Sequence, residues 1–322
     1  MSNMLITGGS GFIGSALCNR LAEQGHYVVA FDNFSRSSHM KEKLHPSVDT
    51  FDGDVRDAFS IDRAFKAAAR KKKRIDILFH LAYINGTKTF YSDPSLVLDV
   101  GVRGAINTIE VALANNVKKY VLVSTSEVYN EPNIIPTPET APLIIPDVHN
   151  PRFSYSGGKI ISELLTIHSK LDAVIVRPHN IYGCNMGKEH VLPQLVEKML
   201  RAPKNTDGSI DITIQGDGSE TRSFCYIDDC IDGMILASQT DEPNAIFNVG
   251  VSEETSIIDL TNKIASILGL KLNIITSPKT NGSPMRRCPD ITKIGSLGYR
   301  PKVSLSDGLR KTVEWYRKHL EE

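Results

Sequence analysis

Short apolar runs alternate with segments of helical periodicity through the first half of the chain. Runs rich in β-branched residues predict buried strands at 4–7, 27–31, 77–81, 120–124 and 173–177. Apolar residues spaced three and four apart predict helices at 13–24, 60–69, 96–115 and 155–169. This alternation indicates an α/β fold with a doubly wound parallel sheet of the Rossmann type, covered by helices on both faces.

The pattern becomes less regular after Pro178. Glycine and proline become frequent, and longer loops are predicted at 202–209 and 276–289. Further strands are predicted at 210–215 and 245–249, and further helices at 256–268 and 306–319. We therefore predict a Rossmann domain over residues 1–178, completed by part of 218–250, and a smaller, mainly substrate-binding portion over 179–322.

The charge balance argues against a polyanionic partner. Lys+Arg and Asp+Glu number 37 each, which gives no electrostatic reason to expect nucleic acid or an anionic membrane. The run Arg70-Lys71-Lys72-Lys73-Arg74 is interpreted as the solvated end of a helix, because no aromatic residue is interleaved with its charges.

The remaining composition is that of an ordinary folded protein, with 41% hydrophobic and 23% charged residues. No apolar stretch approaches the roughly 18 residues of a membrane span, and the first residues show no leader pattern. The five cysteines are odd in number and widely spaced, which favours reduced thiols, and no metal-ligand cluster is expected. These features predict a cytoplasmic protein.

A glycine-rich turn joins the first predicted strand to the first predicted helix. In Thr7-Gly8-Gly9-Ser10-Gly11-Phe12-Ile13-Gly14, Gly8 permits the tight turn, Gly11 the close approach of a pyrophosphate, and Gly14 the packing of helix on strand. The amide groups at Phe12 and Ile13 open the helix and would face the anion. Alone, such a turn is weak evidence, since it can be purely structural.

Two acidic positions strengthen the prediction of a dinucleotide. Asp32, followed by Asn33, ends the second strand, where its carboxylate can accept both ribose hydroxyls and would repel a 2′-phosphate. Asp54 and Val55 follow the third strand, where a side chain and a backbone amide can bind adenine. We therefore predict NAD, rather than NADP, as the cofactor.

Tyr155 and Lys159 form the predicted catalytic pair. Four residues apart on a predicted helix, their side chains project from one face. A free phenol has a pKa near 10, and a nearby ammonium stabilises the phenolate and lowers that pKa. Tyr155 would then take the proton of a sugar hydroxyl while hydride leaves the same carbon for NAD. Both residues are also expected to contact the cofactor, with Lys159 holding the nicotinamide ribose. In isolation, the pair would be interpreted as an ordinary surface pair.

Several motifs in this order resemble the extended short-chain dehydrogenase/reductase family, specifically its NAD-dependent nucleotide-sugar epimerase/dehydratase branch. Besides the features above, the resemblance rests on His80-Leu81-Ala82, Ser124-Thr125-Ser126-Glu127-Val128-Tyr129, Arg177-Pro178-His179-Asn180-Ile181-Tyr182-Gly183, Gly216-Asp217-Gly218-Ser219-Glu220-Thr221-Arg222 and Leu297-Gly298-Tyr299-Arg300-Pro301. It covers nearly the whole chain.

The resemblance implies roles for single residues. Thr125 would hydrogen-bond the reacting hydroxyl, and Leu81 and Ala82 would line the cofactor. Asn180 and Arg222 would hold the diphosphate of a nucleotide-diphosphate sugar, for which an arginine fork is well shaped. The first product in this family is a 4-keto sugar, and members are commonly homodimers through the helices predicted at 96–115 and 155–169.

Four positions depart from the family pattern. Tyr83 follows His80-Leu81-Ala82 where many members have a small residue, and Gly101 stands where an asparagine is frequent. Asn130 replaces a glycine, and Cys184 replaces a proline. These departures concern the sugar specificity rather than the oxidation.

Glu127 bears on the step after oxidation. Thr125-Ser126-Glu127 is similar to the trio of UDP-glucuronate decarboxylases and GDP-mannose 4,6-dehydratases, whereas dTDP-glucose 4,6-dehydratases have Asp before the Glu and UDP-galactose 4-epimerases usually lack the Glu. With Ser126 as a substrate contact, this favours decarboxylation or dehydration helped by Glu127. A 4-epimerase, in which Glu127 is only structural, remains the alternative.

Two other classes are considered. A dinucleotide-sensing protein without chemistry would usually have lost Tyr155 or Lys159, and both are present. A carbonyl reductase acting on a small ketone would not need Asn180 and Arg222. The pair Arg286-Arg287 is left open as either a second phosphate clamp or a solvated pair.

Overall fold

The computed structural model describes residues 1–35, 44–187, 190–278 and 284–319. It divides into two compact units. The first contains residues 1–130, 143–178 and 231–247, and the second contains 131–142, 179–230 and 248–322. The segment 131–142 therefore belongs to the second unit although it precedes Pro178 in the chain.

The first unit is built on a seven-stranded sheet. Its strands are β1 Asn3–Thr7, β2 Tyr27–Asp32, β3 Asp49–Asp52, β4 Ile77–His80, β5 Lys119–Val123, β6 Ala173–Pro178 and β11 Ala245–Val249, whose last two residues lie in the second unit. The order of the strands across the sheet is β11-β6-β5-β4-β1-β2-β3. The registers from β3 through to β6 are parallel. The predicted doubly wound α/β fold is confirmed.

Helices connect these strands. They are α1 Phe12–Glu23, α2 Ala58–Arg70, α3 Thr87–Ser92, α4 Pro94–Leu98, α5 Gly104–Ala114, α6 Phe153–Ile167 and α8 Ile227–Ser238, which begins in the second unit. The core between sheet and helices consists of fully buried aliphatic and aromatic residues, such as Leu5, Phe31 and Ile175. A continuous run of buried residues along each central strand explains why these strands read as unbroken apolar runs.

The single helix predicted over 96–115 is wrong in its middle. Residues Asp99–Arg103 form a π-helix between α4 and α5, with Gly101 buried at its centre. A π-helix inserts one extra residue per turn, and such insertions are frequent at functional sites. Sequence periodicity missed it, because apolar spacing on both sides still fits one continuous helix.

The second unit consists of small sheets and four helices among its described residues. Its strands are β7 Ile181–Tyr182, β8 Ser209–Gln215, β9 Thr221–Arg222, β10 Cys225–Tyr226, β12 Thr255–Ser256, β13 Lys271–Ser277 and β14 Arg286–Arg287. Its helices are α7 Val191–Arg201, α9 Ile257–Leu268, α10 Thr292–Ser296 and α11 Leu305–His319. The loop predicted at 276–289 is shorter than expected, since β13 and β14 reach into it, and 279–283 lie outside the described residues.

The described residues contain no helix long and apolar enough to cross a membrane. Over the same part of the chain, no group of three or more His, Cys, Asp and Glu residues could hold a metal ion. All five cysteines are described and free of disulfides.

A buried ion pair joins α6 to β6. Arg177 donates from Nε to Glu163 Oε1 at 2.9 Å and from Nη2 to Oε2 at 2.6 Å, and both side chains are 3% exposed. Arg177 also donates to the Tyr129 hydroxyl at 2.7 Å, and the Ser124 hydroxyl donates to Glu163. The pair thereby fixes the chain on both sides of residues 125–128.

We predict that Glu163→Gln lowers the free energy of unfolding by about 3–5 kcal/mol, because it leaves the Arg177 charge buried without a carboxylate. Urea denaturation measures the change. Glu197→Gln, which breaks the exposed Glu197–Arg201 pair on α7, is the control and should cost about 1 kcal/mol or less. Equal small effects in both variants would contradict a structural role for the buried pair.

Candidate active site

The glycine-rich turn between β1 and α1 packs closely against the chain that follows β4. Gly8 has a φ of +70°, and a Cβ on it would lie 2.9 Å from the Ala82 Cα. A Cβ on Gly14 would lie 2.0 Å from the Gly8 carbonyl oxygen. No side chain caps α1 at Gly11, so its first amide groups, including those of Phe12 and Ile13, are oriented to bind an anion.

Asp32 ends β2 beside this turn. Its Oδ2 accepts a hydrogen bond from the Ser10 amide at 3.0 Å, and its Oδ1 accepts one from the Phe34 amide at 2.9 Å. Two backbone amides thus fix the carboxylate, while each oxygen retains a lone pair for a ribose hydroxyl. The turn, the helix N-terminus and the fixed carboxylate together fit the pyrophosphate and a ribose of NAD.

The acidic position after β3 is occupied by an ion pair that the sequence did not indicate. Arg56 donates to both oxygens of Asp54, at 3.0 and 2.7 Å, and holds the pKa of that carboxyl below its usual range. The Asn33 amide also donates to Asp54, at 3.4 Å. Val55 is buried, and its carbonyl accepts a hydrogen bond from the Asn107 side chain at 2.9 Å.

Tyr155 and Lys159 project from α6 and are both buried. The Lys159 ammonium donates to the Val123 carbonyl, the last of β5, at 2.6 Å. Burial lowers the pKa of Lys159 to about 7, and the nearby charge of Glu163 opposes that shift. The lysine is therefore fixed at the carboxyl end of the central sheet, where Brändén's rule expects ligands to bind.

Aromatic rings surround Tyr155. The ring of Phe90 from α3 stacks on it at 5.0 Å between centroids, and the ring of Tyr83 meets it at 5.2 Å with an interplanar angle of 90°. Val97 completes this small apolar cluster. The cluster restricts the phenol of Tyr155 to one orientation, which a proton-transferring group requires.

The trio Thr125, Ser126 and Glu127 begins immediately after β5. Thr125 caps the 3₁₀-helix Ser126–Tyr129, its hydroxyl oxygen accepting from the Glu127 amide at 3.2 Å. That arrangement leaves the hydroxyl hydrogen able to donate to another oxygen. Because Val123 receives the Lys159 ammonium two residues earlier, the trio and the lysine lie at the same strand end.

Glu127 faces a guanidinium. Arg152, which immediately precedes α6, places Nη2 at 3.9 Å from Glu127 Oε2, with side chains 15% and 31% exposed, respectively. The carboxylate is therefore partly open to solvent, unlike Thr125 and Ser126, which are buried. The sequence did not indicate this pair, because the two residues are 25 positions apart and meet only in the fold.

The predicted diphosphate ligands lie in the second unit. Asn180 has a φ of +42°, a conformation that asparagine tolerates, and its side-chain amide donates to the Ser223 carbonyl at 3.4 Å. Arg222 lies on β9 and donates to the Thr221 carbonyl at 2.8 Å. Both side chains are thereby positioned by backbone carbonyls.

Arg286 and Arg287, whose role the sequence left open, have different environments. Arg287 is buried and is the register partner of Arg222 on the parallel strands β14 and β9. Arg286 is exposed and forms an ion pair with Glu254 at 2.5 Å. Arg286 therefore agrees with the expectation of a solvated side chain. Arg287 lies next to Arg222, a predicted phosphate ligand.

Comparison with known proteins identifies the family. A family model described as the NAD dependent epimerase/dehydratase family matches residues 4–250. The chain belongs to this family. It is accordingly an NAD-dependent enzyme, and the family predicted from the sequence is confirmed.

Relatives within the NAD-dependent epimerase/dehydratase family carry different activities. The chain is 32% identical to a UDP-glucose 4-epimerase of Mycolicibacterium smegmatis, over 97% of this chain and 98% of the relative. It is 30% identical to a UDP-N-acetyl-alpha-D-glucosaminuronate decarboxylase of Bacillus cytotoxicus, over 97% of each. The crystal structure of Thermotoga maritima UDP-glucose 4-epimerase with UDP-glucose has a TM-score of 0.86 at 28% identity and 99% coverage of both chains.

The ring of Tyr83 leaves no room for a side chain at Gly101. A Cβ on Gly101 would lie 2.0 Å from Tyr83 Cζ. We predict that Gly101→Ala destabilises the protein by about 1–3 kcal/mol through overpacking, although alanine favours a helix more than glycine does. In a Tyr83→Ala background the same change should be neutral or stabilising, and thermal unfolding of the double-mutant cycle measures that coupling.

Gly157→Ala is the matched control for this cycle, since a Cβ there would lie 3.3 Å from Cδ1 and 3.9 Å from Cγ1 of the Ile145 side chain. Its effect should be small and the same in both backgrounds. Additive effects of Gly101→Ala and Tyr83→Ala would contradict the close contact.

Proposed function

We propose that this enzyme oxidises C4 of a nucleotide-diphosphate sugar through Tyr155 and Lys159 and then decarboxylates or dehydrates the keto sugar with the help of Glu127. The observation that carries the proposal is the arrangement at the end of β5. There the buried ammonium of Lys159, bound to the Val123 carbonyl, lies beside the trio that ends in Glu127.

Tyr155 removes the proton of the C4 hydroxyl in the first step. The ammonium of Lys159, one helical turn away, favours the phenolate that accepts this proton. Thr125 donates a hydrogen bond to the same sugar oxygen and holds it against Tyr155. NAD, held by the glycine-rich turn and Asp32, would supply the hydride acceptor for C4 and the hydride for the later reduction. Asp32, as a fixed carboxylate, disfavours the 2′-phosphate of NADP.

The ketone at C4 makes the bonds at C5 labile. In a decarboxylation, the C5–carboxylate bond breaks, its electron pair forms the C4 enolate, and C5 then takes a proton. In a dehydration, C5 loses a proton, the C4 enolate forms, and hydroxide leaves C6 as water after protonation. Glu127 can donate or accept the C5 proton in either case, and Arg152 compensates its charge or that of a sugar carboxylate.

Asn180 and Arg222 are proposed to bind the diphosphate, with Arg287 beside Arg222 as a further cation. A guanidinium fork matches the geometry of phosphate oxygens. The names of the relatives support a nucleotide sugar as substrate, since they include both a UDP-glucose epimerase and a decarboxylase of a UDP-linked uronate.

The second candidate function is 4-epimerisation, which the relatives named as epimerases favour equally. An epimerase returns hydride to the opposite face of the C4 ketone and needs no acid or base at C5. In that case Glu127 serves only as a partner of Arg152.

We predict that mass spectrometry of products from UDP-glucuronate, GDP-mannose and UDP-glucose will show loss of carbon dioxide or of water. Tyr155→Phe should reduce all turnover by about 10²–10⁴-fold, because the proton acceptor is removed. Glu127→Gln should reduce the elimination by a similar factor while C4 oxidation, followed as NADH absorbance, persists.

Glu314→Gln on the exposed face of α11 is the control and should behave as the wild type. Products of unchanged mass and altered C4 configuration, with Glu127→Gln fully active, would establish the epimerase instead. Full activity of Tyr155→Phe would refute both candidates.

We further propose a homodimer through α4, α5 and α6 of the first unit. These helices carry large apolar side chains that are each 38% to 53% exposed. The exposed helix faces of soluble proteins usually carry polar residues instead. The residues are Leu98, Ile106, Leu113, Ile161 and Leu164.

We predict that light scattering coupled to size exclusion gives twice the mass of one chain for the wild type. Ile161→Glu combined with Leu164→Glu should give the monomer mass, because two charges would be buried at the interface. Ile258→Glu, at a residue 36% exposed on α9, is the control and should remain dimeric. A monomeric wild type would refute the proposal.

A further inference from the structure

The loop after β4 inserts an aromatic side chain between two glycines. A Cβ on Gly158 would lie 2.0 Å from the Tyr83 hydroxyl oxygen, and one on Gly101 would lie 2.1 Å from it. The end of the Tyr83 ring therefore occupies space that any other residue at 101 or 158 would fill. Gly101 comes from the π-helix and Gly158 from α6, so the slot for the ring is formed by two separate elements.

The same ring contacts both members of the catalytic pair. Lys159 Nζ lies over its face, 4.2 Å from the centroid, which is within the range of a cation–π interaction. The ring also packs perpendicular to Tyr155 at 5.2 Å. The Tyr83 ring thus lies between the catalytic pair on α6, Tyr155 and Lys159, and the π-helix.

The hydroxyl group does not explain why a tyrosine stands here. The Tyr83 oxygen is buried and has no hydrogen-bond partner among the described residues. A buried polar group without a partner destabilises the folded state. The contacts that Tyr83 makes with the catalytic pair are those of its ring.

The other groups around Lys159 leave its charge weakly compensated. Glu163 on α6 raises the pKa of Lys159, but both of its oxygens are bound by Arg177. His80 from β4 is buried, and burial lowers its pKa to about 3, so it is neutral. On β5, the Val123 carbonyl accepts a hydrogen bond from the Lys159 ammonium. The face of Tyr83 is then a main source of stabilisation for the ammonium form.

We propose that Tyr83 is a positioning residue for the reaction: its ring face holds Lys159 in the charged form and its edge-on contact orients Tyr155. The proposal rests on the proposed function, in which Tyr155 and Lys159 carry out the oxidation. In this role Tyr83 acts through the two α6 residues that its ring contacts, Lys159 and Tyr155.

The direct test measures the titration of Lys159 in the whole enzyme, without substrate. Protein labelled with [ε-¹³C]lysine gives one NMR signal per lysine, and the signal missing in Lys159→Met assigns this residue. Tyr83→Phe should leave its pKa unchanged, because the aromatic face is retained. Tyr83→Leu should lower that pKa by about one unit, since an apolar side chain excludes water but offers no π face.

Phe90→Leu is the matched control, because Phe90 stacks on Tyr155 in the same cluster and its ring is not the one over Lys159. It should leave the Lys159 pKa unchanged. Equal shifts in Phe90→Leu and Tyr83→Leu, or no shift in Tyr83→Leu, would overturn the proposal. Tyr83→Met, which fits the slot without an aromatic face, replaces the leucine variant if that variant does not fold.

The pH profile of kcat/KM tests the catalytic consequence, with UDP-glucose and UDP-glucuronate as probes. In Tyr83→Leu, the alkaline limb should move to lower pH by the same amount as the Lys159 titration, and Tyr83→Phe should restore the wild-type profile. An unmoved limb would restrict Tyr83 to packing and overturn its positioning role. Because the NMR titration needs no turnover, failure of the proposed function, seen as an active Tyr155→Phe, remains distinguishable.

Discussion

The ammonium of Lys159 is buried at the end of β5, and the arrangement of the first unit around it follows from that burial. A charge removed from water must be compensated by polar or polarisable groups, or else its pKa shifts. Here the Val123 carbonyl, the Glu163 charge and the Tyr83 ring provide the compensation, and the pKa still falls to about 7. With a pKa near neutral pH, the charge of this lysine responds to small changes in its surroundings, and under the proposed function its support of Tyr155 would change with it.

The buried ion pair between α6 and β6 also affects this lysine. Arg177 binds Glu163 with two hydrogen bonds, which reduces the free negative charge next to Lys159 and keeps Glu163 compatible with its buried position. Through Tyr129 and Ser124 the pair also fixes the segment that carries Thr125 and Glu127. Orientation of the trio and electrostatics of the lysine are therefore coupled through one carboxylate.

Under the proposed function, oxidation at C4 uses Tyr155, Lys159 and Thr125, and the following step depends on the group near C5. We assign that role to Glu127, which has Arg152 as its partner; both side chains are partly exposed. The relatives of known name include both epimerases and decarboxylases, which is consistent with a shared first step and a variable second one.

Local spacing along the chain was enough to predict the parallel strands, the glycine-rich turn and the Tyr155–Lys159 pair. Each of these predictions rests on local spacing, because buried parallel strands appear in the sequence as continuous apolar runs and residues four apart on a helix share a face. The sequence also indicated Tyr83 and Gly101 as departures from the family, but not that they touch. That contact, the π-helix at Asp99–Arg103 and the pairing of Glu127 with Arg152 became visible in the fold alone. These depend on residues distant in sequence approaching within a few ångströms, which no local pattern of hydrophobic and polar positions encodes.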